Sequence, residues 1–369
     1  HLGAQHREET SRAVHTAFLL CLLAGLGIMA LCLALAANML EMLHTKDDLL
    51  PGAVLYFRIY ALGMPALGIF NFGNAVLSAN GDTKRPLLYL TIAGILNVIL
   101  NLFFVIVCKM AADGVALASV ISQYVSAILV VWHMMRLNDA CKFYFQRLRF
   151  HGDEVGRILG LGVPAGIQHM IFAIANLFIQ AAVNSFDSTM VSGNAAAANT
   201  DTIIYNIMMA FYTACSTFMG QNWGAGHKKR MMDSYLISLF YAFAVAAVLG
   251  VAFYFAGRPF LYVFTNSADV VEAGMQRMKI MCFSYAISAF MDNTIAACRG
   301  LGRTIVPTVV VIMGSCVFRV IWVYTIFAHY HTIPSLYLLY AFSWTITAAA
   351  EIVYFLHCFR KLRLVPETA

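Results

Sequence analysis

Charge is what this chain has least of. Only 11% of its 369 residues are Asp, Glu, Lys or Arg, while 61% are hydrophobic, and the mean hydropathy is +0.75. Water-soluble domains carry about 25% charged residues. A chain this apolar cannot cover itself with water-compatible groups, which excludes a soluble globular domain. Metal and redox motifs are also missing. The nine cysteines contain no CxxC and no paired spacing, so neither a disulfide framework nor a zinc ribbon is expected, and the bland reading is small buried hydrophobes. The 11 histidines form no HxxxH or HExxH pair, so no metal centre is expected. No clustered His, Cys or Ser–His constellation stands out, so an enzyme and a catalytic site are not expected either.

Long apolar runs are what is there. Ten stretches near twenty residues long fall at 14–42, 54–79, 87–110, 114–136, 158–185, 190–220, 233–256, 272–298, 305–328 and 335–358. Runs of that length read as membrane-spanning helices. The two-residue alternation of a transmembrane barrel is absent. Basic residues then orient the helices. Of 24 Lys and Arg, 17 fall in one alternate set of connections, including Lys84, Arg85, Arg147, Lys228, Arg299, Arg303 and Arg363, and only Lys46, Lys109 and Arg258 fall in the other. This is the positive-inside pattern, and it puts both termini in the cytoplasm of a multi-pass protein of the plasma or inner membrane. The basic residues are spread over six turns, so no nucleic-acid partner is expected.

The chain also repeats itself. An offset of 221 residues carries His1-Leu2-Gly3-Ala4 onto Asn222-Trp223-Gly224-Ala225, and Gly81-Asp82-Thr83-Lys84-Arg85-Pro86 onto Gly302-Arg303-Thr304-Ile305-Val306-Pro307. The second copy has about seventy residues before Asn222 that have no counterpart in the first. The expectation is an all-α integral membrane fold of two six-helix lobes in a parallel pseudo-two-fold repeat, with ten helices present and the first two missing from an N-terminally truncated chain. The first lobe takes residues 1–136 (helices 3–6 of 12). A cytoplasmic linker takes 137–155, the longest polar stretch, and the second lobe takes 156–369 (helices 7–12). Parallel repeats of this kind put a substrate path near the midplane and work by rocking.

Several motifs resemble one family, the multidrug and toxic compound extrusion (MATE) transporters. They are Gln221-Asn222-Trp223-Gly224-Ala225-Gly226 ending the family's eighth helix, Asn194-Ala195-Ala196-Ala197 near its start, Arg299-Gly300-Leu301-Gly302 after the tenth, Gly81 to Pro86, and Gly162-Val163-Pro164 opening the seventh. The resemblance spans essentially the whole chain. It implies a twelve-helix bundle that exports cationic or amphipathic drugs by antiport against H⁺ or Na⁺, needing no other cofactor. It also implies a cation site in the first lobe at Asn74, Asn97, Asn101 and Ser119, completed by an acid on the absent first helix. Asn101 stands where the family often has Asp.

Polar groups within apolar helices are costly and mark candidate sites. Asn97 and Asn101 share one helix face, and Asn74 and Ser119 lie 23 residues before and 22 after Asn97. The alternative for these amides is interhelical bonding, about 0.6 kcal/mol each. Asp201 and Asp292 are the intramembrane acids of the second lobe. A carboxylate sequestered from water suits a group that binds the coupling proton and a cationic substrate in turn; the alternative is structural pairing of the acid with Lys279 or Arg319. Gln168, His169, Asn176, Gln180 and Asn184 make a polar series along one helix, and Tyr205 and Asn206 lie below Asp201. Glu351 reads as interfacial, and Arg58 and Lys279 as snorkelling. Central helices rich in amides and acids favour cationic cargo over the rival reading, a lipid-linked oligosaccharide flippase, whose cavity is expected to be more basic. A monomer in the lipid bilayer is expected.

Overall fold

The computed structural model describes residues 1–42 and 49–362; Lys46 and Arg363, counted in the charge pattern, lie outside them. The described residues form helices α1 (Arg7–Met42), α2 (Leu50–Ala61), α3 (Met64–Ala79), α4 (Lys84–Leu102), α5 (Ala112–Met135), α6 (Gly152–Val183), α7 (Ser188–Gly224), α8 (Lys228–Leu261), α9 (Ala268–Gly300), α10 (Ile305–Tyr330) and α11 (Ile333–Lys361). Nine are long and apolar enough to span a membrane, and the α2–α3 pair makes a tenth span bent by 40°. The ten expected runs are thus helical, and the chain is an integral membrane protein. The bend has a local cause. Pro65 at the start of α3 cannot donate a backbone hydrogen bond and disfavours helical geometry before it, so the Leu62 and Gly63 amides bond Ile59 and Tyr60 instead. The residue one repeat later is Ala286, and there α9 runs unbroken.

The chain divides into two compact units, His1–Ile158 and Leu159–Ala369. The segment expected as a linker is part of the first. Phe143 is 1% exposed and packs with Val14 and Phe18 of α1 and Met134 of α5. Its ring stacks on His15 at 5.3 Å, and the Tyr144 amide donates to His15 Nε2 at 3.0 Å. Its polar composition hid two aromatic anchors. The neighbouring Cys141 is buried as well, and burial beside the Asp139 carboxylate pushes its thiol up to about 12.

The 221-residue offset is visible in the backbone. Gly81 and Gly302 both take a positive φ, +86° and +71°, and so do Gln5 and Gly226, at 57° and 76°. Each closes the same tight turn in its own copy, a left-handed conformation that side chains resist. A π-helical turn at Phe103–Val107 continues α4, and α10 carries one at Val323–Phe327, one residue out of register with the equivalent 324–328.

In the second unit α9 is the central helix, packed by α7, α8 and α11, with Met278, Cys282, Ala289, Ala296 and Ala297 all nearly inaccessible. Small residues allow the approach, as helix packing in lipid requires. A Cβ on Gly250 of α8 would sit 2.1 Å from the Cys282 carbonyl oxygen. This packing turns one long face of α9 toward α6, α7, α10 and α11, and the polar residues of all five helices gather there.

Candidate functional site in the second unit

A cavity of about 570 Å³ opens between α6, α7, α9, α10 and α11. Drug-sized ligands occupy pockets of about 300–1,000 Å³. On α7 the lining runs Asp201, Tyr205, Met208, Tyr212. These residues recur at helical spacing, so they form one stripe about 16 Å long. On α9 the lining includes Arg277, Tyr285, Asp292 and Arg299; α10 adds Arg319, and α11 adds Tyr337, Tyr340 and Trp344.

One end is electrically settled. Arg277 is 4% exposed, and its guanidinium donates to Asp201 Oδ2, while Tyr285 Oη donates to Asp201 Oδ1. A second Arg277 nitrogen donates to the Asn194 carbonyl at 3.2 Å, and Tyr337 Oη donates to Asn194 Oδ1 at 2.6 Å. Asp201 therefore pairs with Arg277, not with Lys279, whose exposed side chain lies near Glu272. The charge is answered and both Arg277 terminal nitrogens have acceptors, while its Nε is buried without a partner; a buried ion pair persists through such contacts.

The other end is not settled. Asp292 makes no hydrogen bond and no ion pair among the described residues, although Arg299 and Arg319 are close enough to act on it electrostatically. Arg299 donates through its two terminal nitrogens to Tyr212 Oη and, at 3.0 Å, to Gln168 Oε1. Arg319, 2% exposed, donates Nε to Ser343 Oγ at 3.0 Å and lies against the rings of Tyr340 (4.5 Å), Phe172 (5.6 Å) and Trp344 (5.7 Å). Its Nη2 is buried without a partner, as is Arg299 Nε.

The expected polar residues divide. Gln168, His169, Asn176, Gln180, Tyr205, Asp201 and Asp292 line the cavity; Asn184 and Asn206 do not. Asn184 accepts from Gln180 Nε2 at 2.9 Å one turn beyond. In the first unit Asn101 donates to Asn97 Oδ1 at 3.0 Å, and Asn97 donates to Ser119 Oγ at 3.3 Å. Asn101 Oδ1 is buried and unpartnered, an oxygen free for a cation. Asn74 is exposed and makes no hydrogen bond to this chain of amides, so three of the four proposed ligands converge. Among the described residues His1, His6 and Glu9 bring ligand atoms within 4.8 Å of one another, a grouping the histidine spacing did not suggest. His1 and His6 already contact Glu9 at 2.9 Å each.

Two expectations are corrected. Arg299 is not a loop cation: it ends α9 with its side chain in the cavity. Together with Arg277 and Arg319 it makes the lining three guanidiniums against two carboxylates, not a mostly acidic and amide surface. Glu351 is not interfacial. It is 0% exposed, and both carboxylate oxygens lack a partner, because α11 extends a further ten residues to Lys361 and sinks this position into the unit. Replacing it with the isosteric Gln removes a buried carboxyl that Arg299 acts on only at a distance and nothing contacts, and should raise stability by about 1–3 kcal/mol. Thermal melting of the purified protein checks this; a lower melting temperature for Glu351→Gln would contradict it.

A wider basin of about 870 Å³ lies in the first unit between the start of α1 and residues 138–151. Among the described residues no buried unpartnered atom lines it, and its charged groups face solvent.

The MatE family model matches residues 1–103 and 164–325, most of the chain. The chain belongs to the MatE family. Among curated MatE-like relatives it is 31% identical over 266 residues to a probable multidrug resistance protein, YpnP, of Bacillus subtilis, covering 72% of this chain and 59% of that protein. It is 24% identical over 280 residues to an FAD transporter of Shewanella oneidensis, covering 73% of this chain and 61% of that protein. The chain thus spans about 60% of the length of these relatives. Among solved structures, a MATE in the bent conformation superposes with a TM-score of 0.89 at 18% identity, covering 97% of this chain and 80% of that one. A MOP superfamily transporter from Pyrococcus furiosus, whose reversed pocket polarity suggests a different function for it, gives 0.90 at 18% identity with the same coverage. At such identity the likeness shows the MATE fold alone.

Proposed function

We propose that this chain forms the body of a membrane exporter that moves amphipathic small molecules outward by alternating access, coupled to entry of a proton or a sodium ion. The observation that carries the reading is the second-unit cavity. It is of drug size, walled by aromatic side chains, and holds an unpaired carboxylate, Asp292, inside a membrane-spanning bundle. Ionisable groups at such depth mark substrate and ion paths. Multidrug resistance relatives of Bacillus subtilis and Thermotoga maritima support it. A cationic drug is met by Asp292, which a proton can occupy in its place. The amide chain Asn101–Asn97–Ser119 is the candidate for sodium. The flippase reading finds no support among the relatives above and is not carried forward. The basic connections support a reading with both termini in the cytoplasm, in a plasma or inner membrane. The cavity lies within one unit, which suits a monomer with lipid and cargo as its partners and no cofactor.

The test is ethidium efflux from vesicles carrying the full-length protein, under a proton gradient and, separately, a sodium gradient. One gradient should drive efflux. Efflux independent of both overturns the reading.

A further inference from the structure

We infer that the end of the second-unit cavity beside Arg299 and Arg319 is a receptor for an anionic group, a carboxylate, sulfonate or phosphate, carried on a planar aromatic molecule. This rests on the reading of the cavity as the cargo site.

Four observations lead there. A guanidinium stays charged at any pH a protein meets, and Arg319 is 2% exposed. Among the described residues no carboxylate lies within ion-pair distance of it; Ser343 is neutral. A buried cation with no carboxylate in contact is a costly arrangement that structures avoid unless something occupies the partner position. Second, hydrogen-bonding capacity is left over beside the cavity. Arg319 Nη2 and Arg299 Nε are both buried and unpartnered, and both residues line the cavity. Tyr340, Trp344 and Phe172 hold the Arg319 plane by cation–π contact, which leaves its nitrogen fork preorganised for an oxyanion. Third, the same rings and Tyr212 give the cavity flat apolar walls suited to an aromatic body. Fourth, the charges are not demanded by the helical unit itself. The positions one repeat earlier than Arg299 and Arg319 are Ser78 and Val98, and that before Arg277 is Tyr56. The first unit is built without them.

Asp292 is the resident counter-charge. It feels both arginines but is hydrogen-bonded to neither, so an incoming anion competes with it for the two guanidiniums and does not have to break an ion pair. Removing the Asp292 charge therefore strengthens anion binding. A site in which Arg319 and Asp292 serve each other structurally would behave in the opposite way.

The experiment uses the full-length protein in nanodiscs and fluorescence polarisation with two dyes. Lucifer yellow is an aromatic disulfonate whose charge does not change near neutral pH; ethidium is an aromatic cation. Lucifer yellow should bind the wild-type protein. Arg319→Gln should weaken it by about tenfold or more, Arg319→Lys should restore part of the loss, and Asp292→Asn should tighten it severalfold. Lucifer yellow affinity within twofold of wild type in Arg319→Gln, or no lucifer yellow binding where ethidium saturates, overturns the inference. If Arg319→Gln does not fold, Asp292→Asn decides, and weaker lucifer yellow binding in that variant is the overturning result. Gradient-driven ethidium efflux without lucifer yellow binding removes the anion receptor and leaves the exporter standing. Arg319-dependent lucifer yellow binding with no efflux of either dye does the reverse.

Discussion

Arg277→Leu is expected to lower the stability of the second unit by about 3 kcal/mol, near the lower limit for breaking a buried ion pair from one side. Arg277 ties two helices to α9. It pairs with Asp201 of α7, donates to the Asn194 carbonyl of the same helix, and lies 5.4 Å from the Tyr337 ring of α11. Leucine replaces the stem but leaves the Asp201 carboxylate with only Tyr285 Oη, and leaves the Asn194 carbonyl without this donor. Asp201 keeps 34% side-chain exposure toward the cavity, so water can reach the orphaned charge, which is why the loss stays at the low end. Removing both charges answers the objection that leucine merely packs badly. Arg277→Leu combined with Asp201→Asn should recover at least half of the loss, since the uncompensated charge is gone. Thermal unfolding followed by a thiol-reactive dye on the buried cysteines reads both variants. A single variant less than 1 kcal/mol below wild type, or a double variant no better than the single, sinks the account.

The helices were legible in the sequence because a membrane span needs only length and hydropathy, and both are local. The α2–α3 break was written in Pro65, yet the apolar run continued through it, and hydropathy carries no record of a bend. The repeat was legible through its turns for a physical reason. Gly81 and Gly302 hold a left-handed backbone that tolerates few residues, so turn chemistry is preserved where helix sequence drifts. The cavity was only half legible. Asp201 and Asp292 stood out because an acid in an apolar helix is conspicuous. Arg299 did not, since a basic residue beside Gly300 at a helix end is the ordinary signature of a cytoplasmic turn, and only packing shows its side chain directed to Gln168 and Tyr212. Glu351 failed for a related reason. Its distance along the chain from Arg360 was readable, but its depth was not, because α11 spans 29 residues and tilt decides which of them meet water. In the sequence Arg319 reads as a partner for a carboxylate; that it stands without an ion-pair contact among three rings is tertiary information.

Ethidium and lucifer yellow should bind with opposite pH dependence, and both dependences should disappear in Asp292→Asn. A proton on Asp292 removes the one unpaired negative charge at that end of the cavity. It thereby weakens a bound cation and strengthens a bound anion, by about tenfold for each 1.4 kcal/mol of interaction lost or gained. The groups facing Asp292 constrain what else could titrate. Arg299 on its own helix and Arg319 on α10 stay charged; Tyr205 and Tyr212 on α7 act on it electrostatically. His169 on α6 and Glu351 on α11 both interact with Arg299. His169 is the serious competitor, because its protonation adds positive charge and so carries the same sign for both dyes. The variants separate them. A pH response that survives Asp292→Asn and disappears in His169→Gln assigns the proton to His169 and ends the role given to Asp292. The sign also limits the coupling. At Asp292 a proton and a cationic drug exclude one another, which is the condition for exchange across the membrane, whereas a proton and an anionic cargo favour one another and would travel together. Antiport through Asp292 is therefore confined to cationic cargo. Export of an anion held at Arg319 needs its exchange ion bound elsewhere, and the candidate proposed above is Asn101 Oδ1, buried and unpartnered in the first unit beside Asn97 and Ser119.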